Sequence, residues 1–76
     1  MILAEVFARV LEQDAETFTD ESNPDTVFGW TSLRHVLLLV SVEGAYGVKF
    51  SNSELATLRS MGDIRTALAR KGAQVS

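Results

Sequence analysis

Side chains able to do covalent chemistry are few in this sequence. It holds one histidine, His35, and no cysteine, so nucleophile and base arrangements have almost no candidates and no thiolate metal site or disulfide is available. Ser32 lies three residues before His35, one helical turn away. A Ser/His pair at that spacing needs a shielding pocket, and a helical domain of this size has no interior room for one. His35 therefore reads as a half-buried histidine on a helix surface. Glycine-rich phosphate loops, clustered carboxylates and metal-ligand spacings are absent from the sequence, so no catalytic residue and no metal ligand is expected. What remains is the Ser32 hydroxyl, at the point where a long polar stretch gives way to an apolar helix. Serine is a good N-cap, and in that role alone Ser32 contributes about 1 kcal/mol.

The elements that position this serine are helical. Ile2, Leu3, Val6, Phe7, Val10 and Leu11 recur at helical spacing, with Glu5, Arg9 and Glu12 on the remaining arc, which predicts a first helix. From Asp14 to Thr31 the pattern stops around the only proline, Pro24, and Asn23 before it is pushed away from helical angles. A loop this long in a compact domain is often functional, and Phe18, Val27, Phe28 and Trp30 are expected to anchor it. A second helix is predicted from about Ser32 to Tyr46, with Gly47 at its end. At about 100° per residue, Leu38, Val42, Ala45 and Tyr46 fall on one side of it while Leu33, Leu37 and Val40 fall nearly opposite. Such a helix is central to a bundle, offers one face to a partner, or does both.

Ser51 followed by Glu54 reads as a capping box that opens a short third helix through Leu55 and Leu58. Ser60 and Asp63 repeat the device before Ile64, Ala67 and Leu68, with Arg70 and Lys71 at the favourable negative end and Gly72 as the stop. Period-two alternation is missing, so strands are not expected. The predicted fold class is all-α: a small four-helix bundle with a long first loop and a short third helix, one domain over residues 1–76.

Composition sets bounds on function. Apolar residues make up 46% of the chain and charged residues 22%, a globular balance. A chain of 76 residues removes only about 60% of its unfolded surface from water, so the margin of stability is thin. The apolar run from Val36 to Val40 is far shorter than the roughly 20 residues of a membrane span, and Met1 to Leu11 lacks the basic start and cleavage site of a signal peptide. A soluble, cytoplasmic monomer is expected, with no membrane partner. Residues 1–31 carry seven acids and one base, residues 32–76 three acids and six bases, so the halves are −6 and +3 within a net charge of −3. An acidic whole argues against nucleic acid as a partner and against a helix-turn-helix DNA binder.

Phe28-Gly29-Trp30-Thr31-Ser32-Leu33 resembles the attachment motif of acyl and peptidyl carrier proteins, in which Gly, any residue, Asp, Ser, Leu opens the second helix. Val36, Leu38, Val42 and Tyr46 sit where that family places core residues. Tyr46-Gly47-Val48 looks like its aromatic-Gly-aliphatic helix end, and Ser60-Met61-Gly62-Asp63-Ile64 looks like its turn into the last helix. The resemblance covers nearly the whole chain. It departs at Thr31, where the family has aspartate, and in the second helix, which is acidic in the family but here has Glu43 as its only acid.

The resemblance implies a 4'-phosphopantetheine arm from coenzyme A on Ser32, attached by a separate phosphopantetheinyl transferase in a Mg²⁺-assisted step. Trp30, Thr31, Leu33 and Met61 are implied near the arm, with Met61 either plain core or a lining of the groove in which arm and cargo rest. A phosphodiester at a helix start meets unpaired N–H groups and the positive end of the helix dipole. The missing cysteine is then intelligible, because the thiol belongs to the arm. Arg34, Leu37 and Ser41 are expected to face partners, namely acyl- or aminoacyl-loading and assembly-line enzymes. The Gly29-Trp30 pair is more similar to stand-alone carriers of specialised metabolic pathways than to the fatty acid synthesis carrier, so the resemblance implies a discrete carrier in polyketide, nonribosomal peptide or related assembly. The competing reading is a helical protein-interaction module without a prosthetic group, whose second helix binds a partner through its outer apolar face.

Overall fold

The computed structural model describes residues 2–76 and has four α-helices: α1 (Leu3–Leu11), α2 (Ser32–Tyr46), α3 (Asn52–Thr57) and α4 (Met61–Arg70). Among the described residues there is no strand. Helix ends follow local chemistry. Gly47 ends α2 in a left-handed conformation (φ +67°), its N–H reaching the Glu43 carbonyl. The capping box opening α3 is complete: Glu54 N–H donates to the Ser51 hydroxyl, and Ser51 N–H donates to the Glu54 carboxylate at 2.8 Å. At α4 the device is half-made, because Ser60 accepts from Asp63 N–H while Asp63 reaches past the cap to Arg59 N–H at 3.1 Å.

Helices α1 and α2 form the closest pair. Leu3, Val6, Phe7 and Leu11 from α1 meet Leu38, Leu39 and Val42 from α2 and Met61, Ile64, Ala67 and Leu68 from α4 in one buried cluster. Phe7 is the hub for the loop: Phe18 packs edge-on to it at 5.5 Å between ring centroids, and Trp30 at 5.3 Å and 88°. Val36, expected in the core, is instead 53% exposed. It shares an arc with Leu33 and Val40, whereas the arc of Leu38, Leu39 and Val42 turns inward.

The long loop is packed rather than loose, as its apolar residues suggested, and it contains one short 3-10 turn at Ala15–Thr17 that the sequence pattern did not announce. Its first half docks on the start of α4: Met61 N–H donates to the Ser22 carbonyl at 3.0 Å and Gly62 N–H to the Asp20 carbonyl at 2.9 Å. A Cβ on Gly62 would stand 2.9 Å from that Asp20 oxygen, so only glycine allows the approach. Arg65 pairs with the Asp20 carboxylate at 3.0 Å across the same junction. One expected anchor fails. Phe28 is 91% exposed, while Trp30, two residues on, is 3% exposed. Trp30 N–H bonds the Val27 carbonyl around a turn with Gly29 at its third position (φ +83°), which leaves Phe28 at the apex and sends Trp30 inward.

Helix α3 has no buried residue. It is held by the half-buried Leu55 and, at its end, Leu58, which pack against the core, and by polar ties: Lys71 pairs with Glu54 at 2.9 Å, and the Leu55 carbonyl meets His35 Nε2 at 3.3 Å. The Ser51 backbone N–H and the Lys71 ammonium hold the Glu54 carboxyl below its ordinary range.

Candidate functional site

Thr31, not Ser32, is the N-cap of α2. Its hydroxyl accepts from Arg34 N–H at 3.2 Å, and Ser32 is the first residue inside the helix. The Ser32 side chain is therefore not spent on the cap, and it is exposed. The N–H groups of Ser32 and Leu33 open the helix and have no carbonyl partner within it. An exposed hydroxyl beside uncovered N–H groups at the positive end of a 15-residue helix is a fitting seat for a phosphodiester.

Beside Ser32 runs an open groove of about 470 Å³. Thr31, Ser32, His35 and Val36 line it from the α2 side, and Leu55, Ala56 and Arg59 from the α3 side. Trp30 closes part of the wall while remaining a core anchor. Its indole N–H donates to His35 Nδ1 at 3.0 Å, with the two rings stacked at 6.0 Å. Because Nδ1 accepts from Trp30, the His35 proton sits on Nε2 and is directed to the Leu55 carbonyl. Both nitrogens are engaged. His35 joins the loop, α2 and α3, and is not placed as a base for Ser32.

The residues expected around the arm therefore divide. Ser32, Thr31 and Trp30 share the groove, Leu33 is exposed at its edge, and Met61 is not part of it. Met61 is core: it lies under the loop that its own N–H ties to Ser22, with 3% of its surface open. Leu55, Ala56 and Arg59 went unrecognised as groove lining in the sequence, because Arg59 lies beyond the end of α3 and no helical spacing ties it to the other two.

Among the residues expected to face partners, Leu37 is 47% exposed, whereas Arg34 and Ser41 are half-buried. Arg34 is tied inward, donating to the Val10 carbonyl at 2.7 Å and pairing with Glu12 at 3.6 Å. Glu43 is likewise committed, accepting from Phe50 N–H at 2.7 Å. The outward arc of α2 thus presents Leu33, Val36, Leu37 and Val40 with no uncommitted charge among them.

The fold is thus a small all-α domain with an exposed serine at the start of its second helix and a groove beside it. A family model described as the phosphopantetheine attachment site matches residues 2–68. The chain belongs to that family, and its role is that of a phosphopantetheine carrier with covalent 4'-phosphopantetheine as its prosthetic group. Domains of this family are generally non-catalytic and interact with a phosphopantetheinyl transferase and with synthesis enzymes. No curated protein matches the chain. No helix among the described residues is long and apolar enough to cross a membrane.

Proposed function

We propose that Ser32 is the attachment residue, and that the chain is a discrete acyl or aminoacyl carrier domain, itself without catalytic activity, serving polyketide, nonribosomal peptide or related specialised synthesis. The observation that carries this reading is the freedom of the Ser32 hydroxyl. Thr31 does the capping, leaving Ser32 exposed where N–H groups and the helix dipole favour an added phosphate. Ser32 needs no base in this chain, since the transferase brings its own. When bound, the arm supplies a thiol on which intermediates ride as thioesters.

The chain's own residues then have distinct tasks. The groove wall of Trp30, His35 and Leu55 offers a rest for arm and cargo. Phe28 and the outward stripe Leu33, Val36, Leu37 and Val40 offer docking surface close to the modified residue. Carrier contacts of this kind are small and transient, so apolar anchors dominate them. This is the same face that the interaction-module reading invoked, and the carrier reading gives it an occupant: enzymes that must reach the arm. Arg34 and Ser41 rim it and contribute less than Leu37, because both are half-buried.

Intact mass tests the assignment. Incubation with coenzyme A and a broad-specificity transferase adds one phosphopantetheine to the wild type and none to Ser32→Ala. An arm that persists on the alanine variant removes Ser32 from this role.

A further inference from the structure

We propose that the groove beside Ser32 favours cargo that bears a carboxylate, and that Arg59 is the residue that recognises it. This rests on Ser32 carrying the arm. Most polar side chains in the groove wall are already spent. The Trp30 indole N–H and both His35 nitrogens are hydrogen-bonded, and the Thr31 hydroxyl oxygen caps α2. Two groups remain without a partner among the described residues: the Ser32 hydroxyl and the Arg59 guanidinium. The Asp63 carboxylate takes only the Arg59 backbone N–H, and the ion pairs of the fold involve Arg34, Arg65 and Lys71 instead.

Charge points the same way. No aspartate or glutamate lines the groove, so Arg59 is its single formal charge. Thr31 stands where the family's motif has aspartate, and an acid there would offset that charge at the groove's edge. Val36, Leu55 and Ala56 give the groove an apolar wall, and Arg59 is exposed at its rim, so a carboxylate pairing there forms a charge-assisted bond of the modest strength of a solvent-accessible ion pair. The volume lies within the range of small-ligand sites. An acyl chain against the apolar wall with a terminal carboxylate on the guanidinium uses every free feature of the groove. The arm's own phosphodiester is the other anion available, but the open N–H groups of Ser32 and Leu33 at the start of α2 would serve it beside its attachment point, whereas Arg59 stands on the α3 side.

The test compares three forms of the chain prepared by enzymatic loading: the free-thiol arm, a pentanoyl thioester and a glutaryl thioester of equal chain length. Two readouts are taken, the Arg59 Nε–H resonance and the rate of thioester release by hydroxylamine, corrected by the same thioesters on free pantetheine. The proposal expects glutaryl, and not pentanoyl, to shift the Arg59 resonance and to slow release about fivefold or more. Arg59→Gln abolishes that difference, Arg59→Lys retains part of it, and Thr31→Asp reduces it. Equal behaviour of the two thioesters, or a difference that survives Arg59→Gln, overturns the proposal. A shift already complete in the free-thiol form assigns Arg59 to the phosphodiester and overturns the cargo claim. Intact mass separates the layers: a chain that accepts no arm sinks the Ser32 reading itself, whereas an armed chain with no glutaryl effect sinks only the role of Arg59.

Discussion

On one side of α2, Leu38, Leu39 and Val42 lie in the core shared with α1 and α4; on the other, Leu33, Val36, Leu37 and Val40 face solvent. The residue types are nearly the same on both sides. Valines and leucines that hold the fold together and valines and leucines offered to a partner cannot be told apart by hydropathy. What separates them is which arc α1 covers. An apolar helix on all sides is often taken as a sign of full burial. Here it marks a helix with one face buried against α1 and one face open to solvent, the face proposed above as the docking surface.

The largest expected effect tests the inner face. Leu39→Ala removes a fully buried side chain and is expected to cost about 2–5 kcal/mol in urea unfolding, a large share of a small domain's stability. Leu37→Ala, measured alongside, changes stability little. Equal losses at the two positions would mean that the two faces are not divided as described.

A smaller effect tests the outer face. Leu37→Glu is expected to lower kcat/KM with the cognate loading enzyme at least fivefold, about 1 kcal/mol, on chains already bearing the arm. Helicity and melting temperature stay near the wild type. A collapsed melt returns Leu37 to the core; unchanged loading moves the docking face elsewhere.

The smallest effect sharpens the comparison at the helix start, where Thr31 caps and Ser32 is left free. Thr31→Ala is expected to cost about 0.5–2 kcal/mol, and Ser32→Ala less. If the serine variant is the less stable of the two, the cap has been assigned to the wrong residue. Thr31→Asp preserves a capping oxygen and restores the family's acid, so its transfer rate from coenzyme A is expected to rise; an equal or lower rate with several transferases shows that the acid is not what they read.

Helix ends and the attachment motif were legible because their causes are local. Ser51 with Glu54, Ser60 with Asp63, and Gly47 after Tyr46 act within three or four residues, so spacing alone announces them. The four helices followed from such signals, whereas Ser32 as attachment residue came from the motif's resemblance to carrier proteins, and the cap that local chemistry offered it is made by Thr31. Sidedness did not. Trp30 enters the core and Phe28 does not because a turn at Gly29 meets Phe7, more than twenty positions earlier in the chain. Met61 is buried because the loop from Asp20 to Ser22 folds over it, and Val36 is exposed because α1 covers the opposite arc. The groove, and Arg59 within it, exist only once α3 is brought against α2 through the bond of His35 to Leu55. Local sequence fixes where a helix begins and ends, since capping is satisfied by near neighbours; which of its faces is buried depends on distant segments, and only the packed chain decides that.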